Sequence, residues 1–163
     1  MSADPTPAPP AVPRLASTVI LVRDDPDLRV LMIQRHGAGD FADALVFPGG
    51  MVDPADADPR WRALTTDYDA TPEAERAVRI AAYRELHEET GLLPGPVPGG
   101  AAGDEVGPGP FADHLRASNF RLALGELHLF AHWVTPEIAP RRWDTRFYLC
   151  AGEAAEEVVF DGV

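Results

Sequence analysis

Apolar residues come in short runs along the first third of the chain and in a helical period after it. Residues 16–23 and 28–34 are rich in β-branched and aliphatic side chains and predict two strands. Asp24-Asp25-Pro26-Asp27 between them is turn chemistry, so the two strands predict a hairpin. Residues 44–47 predict a short third strand, stopped by Pro48-Gly49-Gly50. Residues 53–69 are polar and Pro-rich and predict an inserted loop. A helix is predicted over residues 72–90, where Ala74, Val78, Ala82 and Leu86 keep one face. Thr71 is its expected cap, Pro72 suits the first helical position, and Gly91 suits a left-handed stop. Residues 94–110 predict a Gly- and Pro-rich loop, and residues 111–118 a short helix. Residues 127–134 and 145–151 predict strands flanking a turn region at 136–142. Strands alternating with one well-marked helix predict a mixed α/β domain.

The length of 163 residues fits one domain with a real core. Residues 1–14, with five prolines up to Pro13, are expected to be a disordered tail, and residues 15–163 the domain. No apolar run approaches a membrane span, and no positive charge precedes Arg14, so neither a membrane helix nor a signal peptide is expected. Cys150 is the only cysteine, which excludes an intrachain disulfide. A cytoplasmic location is the default expectation. The net charge of −12 opposes nucleic acid and anionic membranes as partners. It also opposes nucleotide-like substrates, so an anionic substrate would need local cations.

Such a need focuses attention on Arg84-Glu85-Leu86-His87-Glu88-Glu89-Thr90-Gly91-Leu92. Glu85, Glu88 and Glu89 stand at i, i+3 and i+4 and share one face of the helix. Their mutual repulsion, at the end where the helix dipole disfavours anions, breaks the local rules of helix design. A charge run is ordinarily a solvated face. A bound hard cation, Mg²⁺ or Mn²⁺, would instead resolve the conflict. Magnesium is commonly shared between carboxylates, waters and phosphates, which points toward phosphate chemistry.

These residues resemble the nudix box, G-x5-E-x7-R-E-φ-x-E-E-x-G-φ with φ apolar. The last nine positions match throughout, at a chance on the order of one in a hundred thousand for a chain of this size. Phe47-Pro48-Gly49-Gly50-Met51-Val52-Asp53 is similar to the strand-to-loop entry of the same family. The resemblance implies a nudix fold, a mixed β-sheet sandwiched between helices. It implies Mg²⁺ or Mn²⁺ held by Glu88 and Glu89, completed by Glu85 and by the carbonyl of Gly49. Arg84 would orient the glutamates. Water would attack a phosphorus of a diphosphate, with Glu85, Glu126 or Glu137 accepting the proton. One departure stands out: counted back from Arg84, the first box glutamate falls on Arg76, and the span from Gly50 is about twenty residues too long.

That insertion, with Trp133 to Glu137, Arg141 to Phe147 and Arg79-Ile80-Ala81-Ala82, resembles the branch that includes peroxisomal acyl-CoA diphosphatases. A small-molecule nucleoside diphosphate derivative, CoA or acyl-CoA among them, is the substrate this implies. Arg141, Arg142 and Arg146 form the dense basic cluster of an acidic chain and are candidates for substrate phosphate, with Arg35 a further one. Local ion pairing is the competing role for them. The alternative to an enzyme is a nudix-fold nucleotide-binding or regulatory module without turnover, which the Arg76 departure favours. Finally, the sequence after residue 151 is poor helix material, so the C-terminal helix of the sandwich is expected to be missing. An uncovered sheet face and a homodimer formed through it would follow.

Overall fold

A computed structural model describes residues 11–24, 26–34, 44–99 and 107–152. The frame is a mixed sheet centred on β1 (Arg14–Asp24). One side of β1 is shared by two short antiparallel strands, β2 (Leu28–Val30) near its end and β5 (Gly49–Met51) near its start. On the other side β9 (Trp143–Ala151) runs parallel to β1, and β8 (His128–Val134) closes the order β2-β1-β9-β8 by pairing antiparallel with β9. The hairpin predicted at 24–27 is present, with Asp24 opposite Leu28. The strand predicted over 28–34 is broken, however. Leu31 N–H donates to the Leu21 carbonyl, but the next stretch of this edge is already taken, because Val19 N–H donates to the Pro48 carbonyl. The chain therefore leaves the sheet, and β3 (Ile33–Gln34) pairs with β4 (Leu45–Val46) as a separate ribbon.

α1 (Glu73–Thr90) packs on one face of this sheet. Val78, Ala82 and Leu86 are fully buried as the period predicts, but so are Ile80, Ala81 and Tyr83, while Ala74 is exposed. The helix is wedged between the sheet and the insertion, so more than one of its faces is covered. Its stop is the predicted one: Gly91 sits at φ 72° and its N–H donates to His87 O at 2.8 Å. Its start is not. Pro72 occupies the cap position, and the Thr71 hydroxyl donates backwards to Asp67 O at 3.0 Å, closing its own turn instead.

The insertion, expected as a surface loop, belongs to the core. Two 3-10 turns, Pro54–Ala57 and Pro59–Leu64, bury Trp61 and Leu64. The Trp61 indole N–H donates to Ala55 O at 2.9 Å, so the ring goes under without an unmet donor. A polar, Pro-rich stretch hides two such anchors because only the two apolar side chains, and not a period, mark them.

α2 (Pro110–Ala117) lies where the short helix was predicted. It packs on α1 and the insertion: Phe111 is 5.9 Å from Trp61 and 5.4 Å from His87 between ring centroids, and His114 is 4.3 Å from His87. Within the loop expected at 94–110, β6 (Val97–Pro98) pairs with β7 (Phe120–Arg121) beneath it. The fold class is α/β, as expected, but both described helices sit on one side of the sheet. The sandwich is thus two-layered among the described residues. Ile20, Phe147 and Leu149 on the far side are only partly buried.

Cys150 shows how dry the α1 side is. It is 2% exposed, and burial, helped by Glu126, pushes its thiol up to about 11. The folded state therefore holds this proton more tightly than the unfolded chain. Stability from this site is intact below the unfolded thiol's range near pH 9 and is lost as pH rises toward 11. Native protein is expected to resist a disulfide-exchange reagent at pH 8 and to release one thiol equivalent on unfolding in urea. Rapid reaction of the native thiol would contradict this burial.

Candidate metal and diphosphate site

The site is built where the end of α1 meets β5. Register brings β5 there: Gly50 lies opposite Ser17 and Gly49 opposite Thr18 of β1. Both glycines are required by close approach. A Cβ on Gly49 would stand 2.4 Å from Ser17 O, and one on Gly50 would stand 2.4 Å from the Glu85 carboxylate. The Glu85 carboxylate thus lies directly on the backbone of Gly50. Gly49 N–H donates to Glu89 Oε2 at 2.8 Å, so the loop and the helix end are tied by the side chain of the third glutamate.

Arg84 is the hub. Its Nη1 donates to Glu85 Oε1 at 2.8 Å and to Glu88 Oε2 at 3.0 Å. Its Nε and Nη2 form a fork on Asp56 at 3.0 and 2.9 Å, and Nη2 also donates to Met51 O at 2.9 Å. These five contacts match the five N–H groups of a guanidinium, so no donor is left unmet. Arg84 thus bonds two of the three box glutamates, Glu85 and Glu88. Burial works against its charge, but Asp56 and then Glu85 outweigh burial and hold its pKa above the ordinary arginine value. Burial also raises the Glu85 carboxyl above its usual range; Arg84 offsets this in part, and Glu88 and Asp56 reinforce it.

Asp56 was missed in the sequence. It is 1% exposed and is shaped by the first 3-10 turn, where Asp53 N–H donates to its Oδ2 at 2.8 Å. The signal was present. Counted forward from Gly50, the acid of the G-x5-E pattern falls on Asp56, whereas counting back from Arg84 falls on Arg76. The insertion lies between the acid and the helix, so only the forward count finds it. Arg76 is no defect of the site. Its Nε donates to the carbonyls of Tyr68 and Thr71, and its guanidinium stacks 4.5 Å from the Tyr68 ring. It pins the end of the insertion to α1.

The other candidates disperse. Arg146 pairs with Glu75 and Asp144 at 3.4 Å. Glu75 in turn accepts from the Tyr148 hydroxyl at 2.9 Å. Arg142 donates to Thr135 O at 3.0 Å and Ala11 O at 2.9 Å, tying the β8–β9 turn to the start of the chain. Arg141 is exposed at that turn. Arg35 lies outside the described residues. Glu126 and Glu137 are exposed, and neither has a recorded bond to the Arg84 cluster. His128 and His132 are exposed on β8, and His132 Nε2 meets Asp144 at 2.5 Å.

The donor set suits a hard divalent cation. Three carboxylates, Asp56, Glu85 and Glu88, bond to one guanidinium, which leaves an excess of two negative charges, with Glu89 beside them. Among the described residues no three acidic or histidine side chains form a closed ligand set as they stand. Glu85 and Glu88 are turned to Arg84 and Glu89 to Gly49, so ligation would require these side chains to reorient.

A mixed sheet with one acid-tipped helix held over a glycine loop is the arrangement of a nudix domain. The NUDIX domain pattern matches residues 13–156, and the chain belongs to that family. It is 29% identical over 177 residues to the acyl-coenzyme A diphosphatase NUDT19 of Homo sapiens, covering 75% of this chain and 47% of the human protein. The chain thus spans about half the length of that relative. A solved NUDIX hydrolase from Alicyclobacillus acidocaldarius superposes with a TM-score of 0.72 at 28% identity, over 93% of this chain and 75% of that one. A MutT/nudix family protein from Enterococcus faecalis shares the fold at a TM-score of 0.50 and 19% identity, covering 91% of this chain and 39% of that protein. Nudix hydrolases generally use divalent metals such as Mg²⁺ or Mn²⁺. Among the described residues no helix is long and apolar enough to cross a membrane.

Proposed function

We propose that this chain hydrolyses the diphosphate bond of a nucleoside diphosphate derivative, with CoA or acyl-CoA as the preferred substrate. The observation that carries the hydrolase reading is the excess of carboxylate over guanidinium at the C-terminal end of α1, laid against Gly49 and Gly50. Glu85, Glu88 and Glu89 would hold Mg²⁺ or Mn²⁺, with the Gly49 carbonyl as a further donor; when bound, the ion would polarise phosphoryl oxygens and make water more acidic. Arg84, bonded to Asp56 and Met51 O, would keep those partners if the glutamates turned to a cation. Glu85 is the proton acceptor we favour over Glu126 and Glu137. It is the one of the three inside the cluster. Asp56 is a positioning residue that acts through Arg84. Its presence removes the ground that Arg76 gave for a module without turnover.

The CoA assignment rests on the relation to the human acyl-CoA diphosphatase and on the insertion, with exposed Arg141 as the candidate for substrate phosphate. CoA and acyl-CoA are expected to be cut to 3′,5′-adenosine diphosphate and the matching phosphopantetheine product. The test is a panel of CoA, acyl-CoA, ADP-ribose, NADH and nucleoside triphosphates with Mg²⁺ or Mn²⁺ and product identification. A clear preference for one of the last three would overturn the substrate assignment. No metal-dependent turnover of any of them would overturn the hydrolase reading.

A further inference from the structure

Among the described residues, half of the exposed large apolar side chains lie on one hairpin. β8 and the turn into β9 expose Leu129 at 52%, Phe130 at 67%, Trp133 at 70%, Val134 at 46%, Ile138 at 96% and Trp143 at 37%. Among the described residues β8 is also the end of the sheet, so its outer backbone groups face no described strand. Edge strands are ordinarily guarded by charge or proline. His128–Val134 contains neither a carboxylate, nor an arginine, nor a proline, in a chain of net charge −12. The one guard is a bulge between Leu129 and Ala131, which leaves Ala131 to Val134 in regular register.

We infer that β8 is a self-association edge, and that its occupant is β8 of a second copy, antiparallel about a two-fold axis. Antiparallel pairing of identical edges is self-complementary, so one contact closes a dimer and leaves no growing end. From the side-chain areas of aromatic and aliphatic residues, the exposed parts of these six come to roughly 700 Å² per copy, an upper bound on the contact because the register puts Trp133 on one face of the sheet and Leu129 and Val134 on the other; a stable interface takes ~800 Å² per partner. Patches that large are uncommon on a monomer. The strand itself carries no carboxylate, so strand-to-strand pairing sets no like charges directly opposite each other.

Sedimentation equilibrium and light scattering on the full chain test this. The wild type is expected to be a dimer at micromolar concentration. Trp133→Glu is expected to weaken dimerisation at least about a hundredfold, with an unchanged circular dichroism spectrum. Phe130→Lys serves if Trp133→Glu fails to fold, and Leu28→Glu on β2, at the other edge, is expected to leave the dimer intact. Hydrogen exchange is expected to protect the outward amides of Ala131 to Val134 in the dimer. A monomeric wild type at 100 µM (about the upper range of such measurements) would overturn the inference. So would a dimer that survives both β8 variants, or protection of β8 that disappears when residues 153–163 are removed from a monomer.

Discussion

Glu88→Gln and Glu89→Gln are each expected to lower kcat by about a hundredfold or more, with a smaller change in KM. Each substitution keeps the shape of the side chain and removes one charge from the cluster that would hold the cation. The structure separates their side effects. Glu88 is half exposed and gives up one contact to Arg84, so its loss should cost less than about 1 kcal/mol of stability. Glu89 accepts the Gly49 N–H, and glutamine can keep that bond through its amide oxygen. Steady-state kinetics at saturating Mg²⁺, with urea unfolding of each variant, checks both parts. Turnover near the wild-type rate in both variants would remove these glutamates from the mechanism.

Asp56→Ala is expected to be the most destabilising single change in the site. The Arg84 side chain is 12% exposed and that of Asp56 only 1%, so the substitution leaves a buried guanidinium without its fork partner. Breaking a buried pair from one side typically costs about 3–5 kcal/mol, a large share of the ~5–15 kcal/mol that holds a domain together. For a chain of this length that corresponds to a fall in Tm of roughly 10 °C. Activity should fall as well, because Glu85 and Glu88 take their positions from the same guanidinium. Asp56→Asn, which keeps acceptor and shape, should recover part of the stability. A Tm within about 2 °C of wild type for Asp56→Ala would show that Arg84 is held by Met51 O and the glutamates alone.

Among the described residues the sheet frame was largely legible from local pattern. β1, β8, β9, α1 and α2 lie where apolar alternation, helical period and the Gly91 stop predicted them, because each is specified by residues close in sequence. The gathering of Glu85, Glu88 and Glu89 at one end of α1 was legible for the same reason: one helix turn sets their spacing. Where the sequence reading failed, the deciding partner was distant in the chain. The 28–34 strand was cut short because β5, some twenty residues on, competes for the same edge of β1. Thr71 is the local exception, its hydroxyl bonding Asp67 O four residues back instead of capping α1. Of the arginines at 141, 142 and 146, which spacing alone puts together, Arg146 meets Glu75, which lies on α1.

What the sequence by itself determined is therefore the fold class, the family motif and the acidic helix end, since those follow from composition, period and spacing within single elements. What only the tertiary structure decided is how the site is held. Asp56 and Arg84 are 28 positions apart. No local propensity marks an aspartate in a Pro-rich stretch as buried; a fork of two hydrogen bonds on a guanidinium offsets the cost of taking its charge out of water. The uncovered hairpin is of the same kind. The alternation of β8 predicts two faces, but whether either is covered depends on where α2 packs, and its contacts with His87 and Trp61 place it on the α1 side.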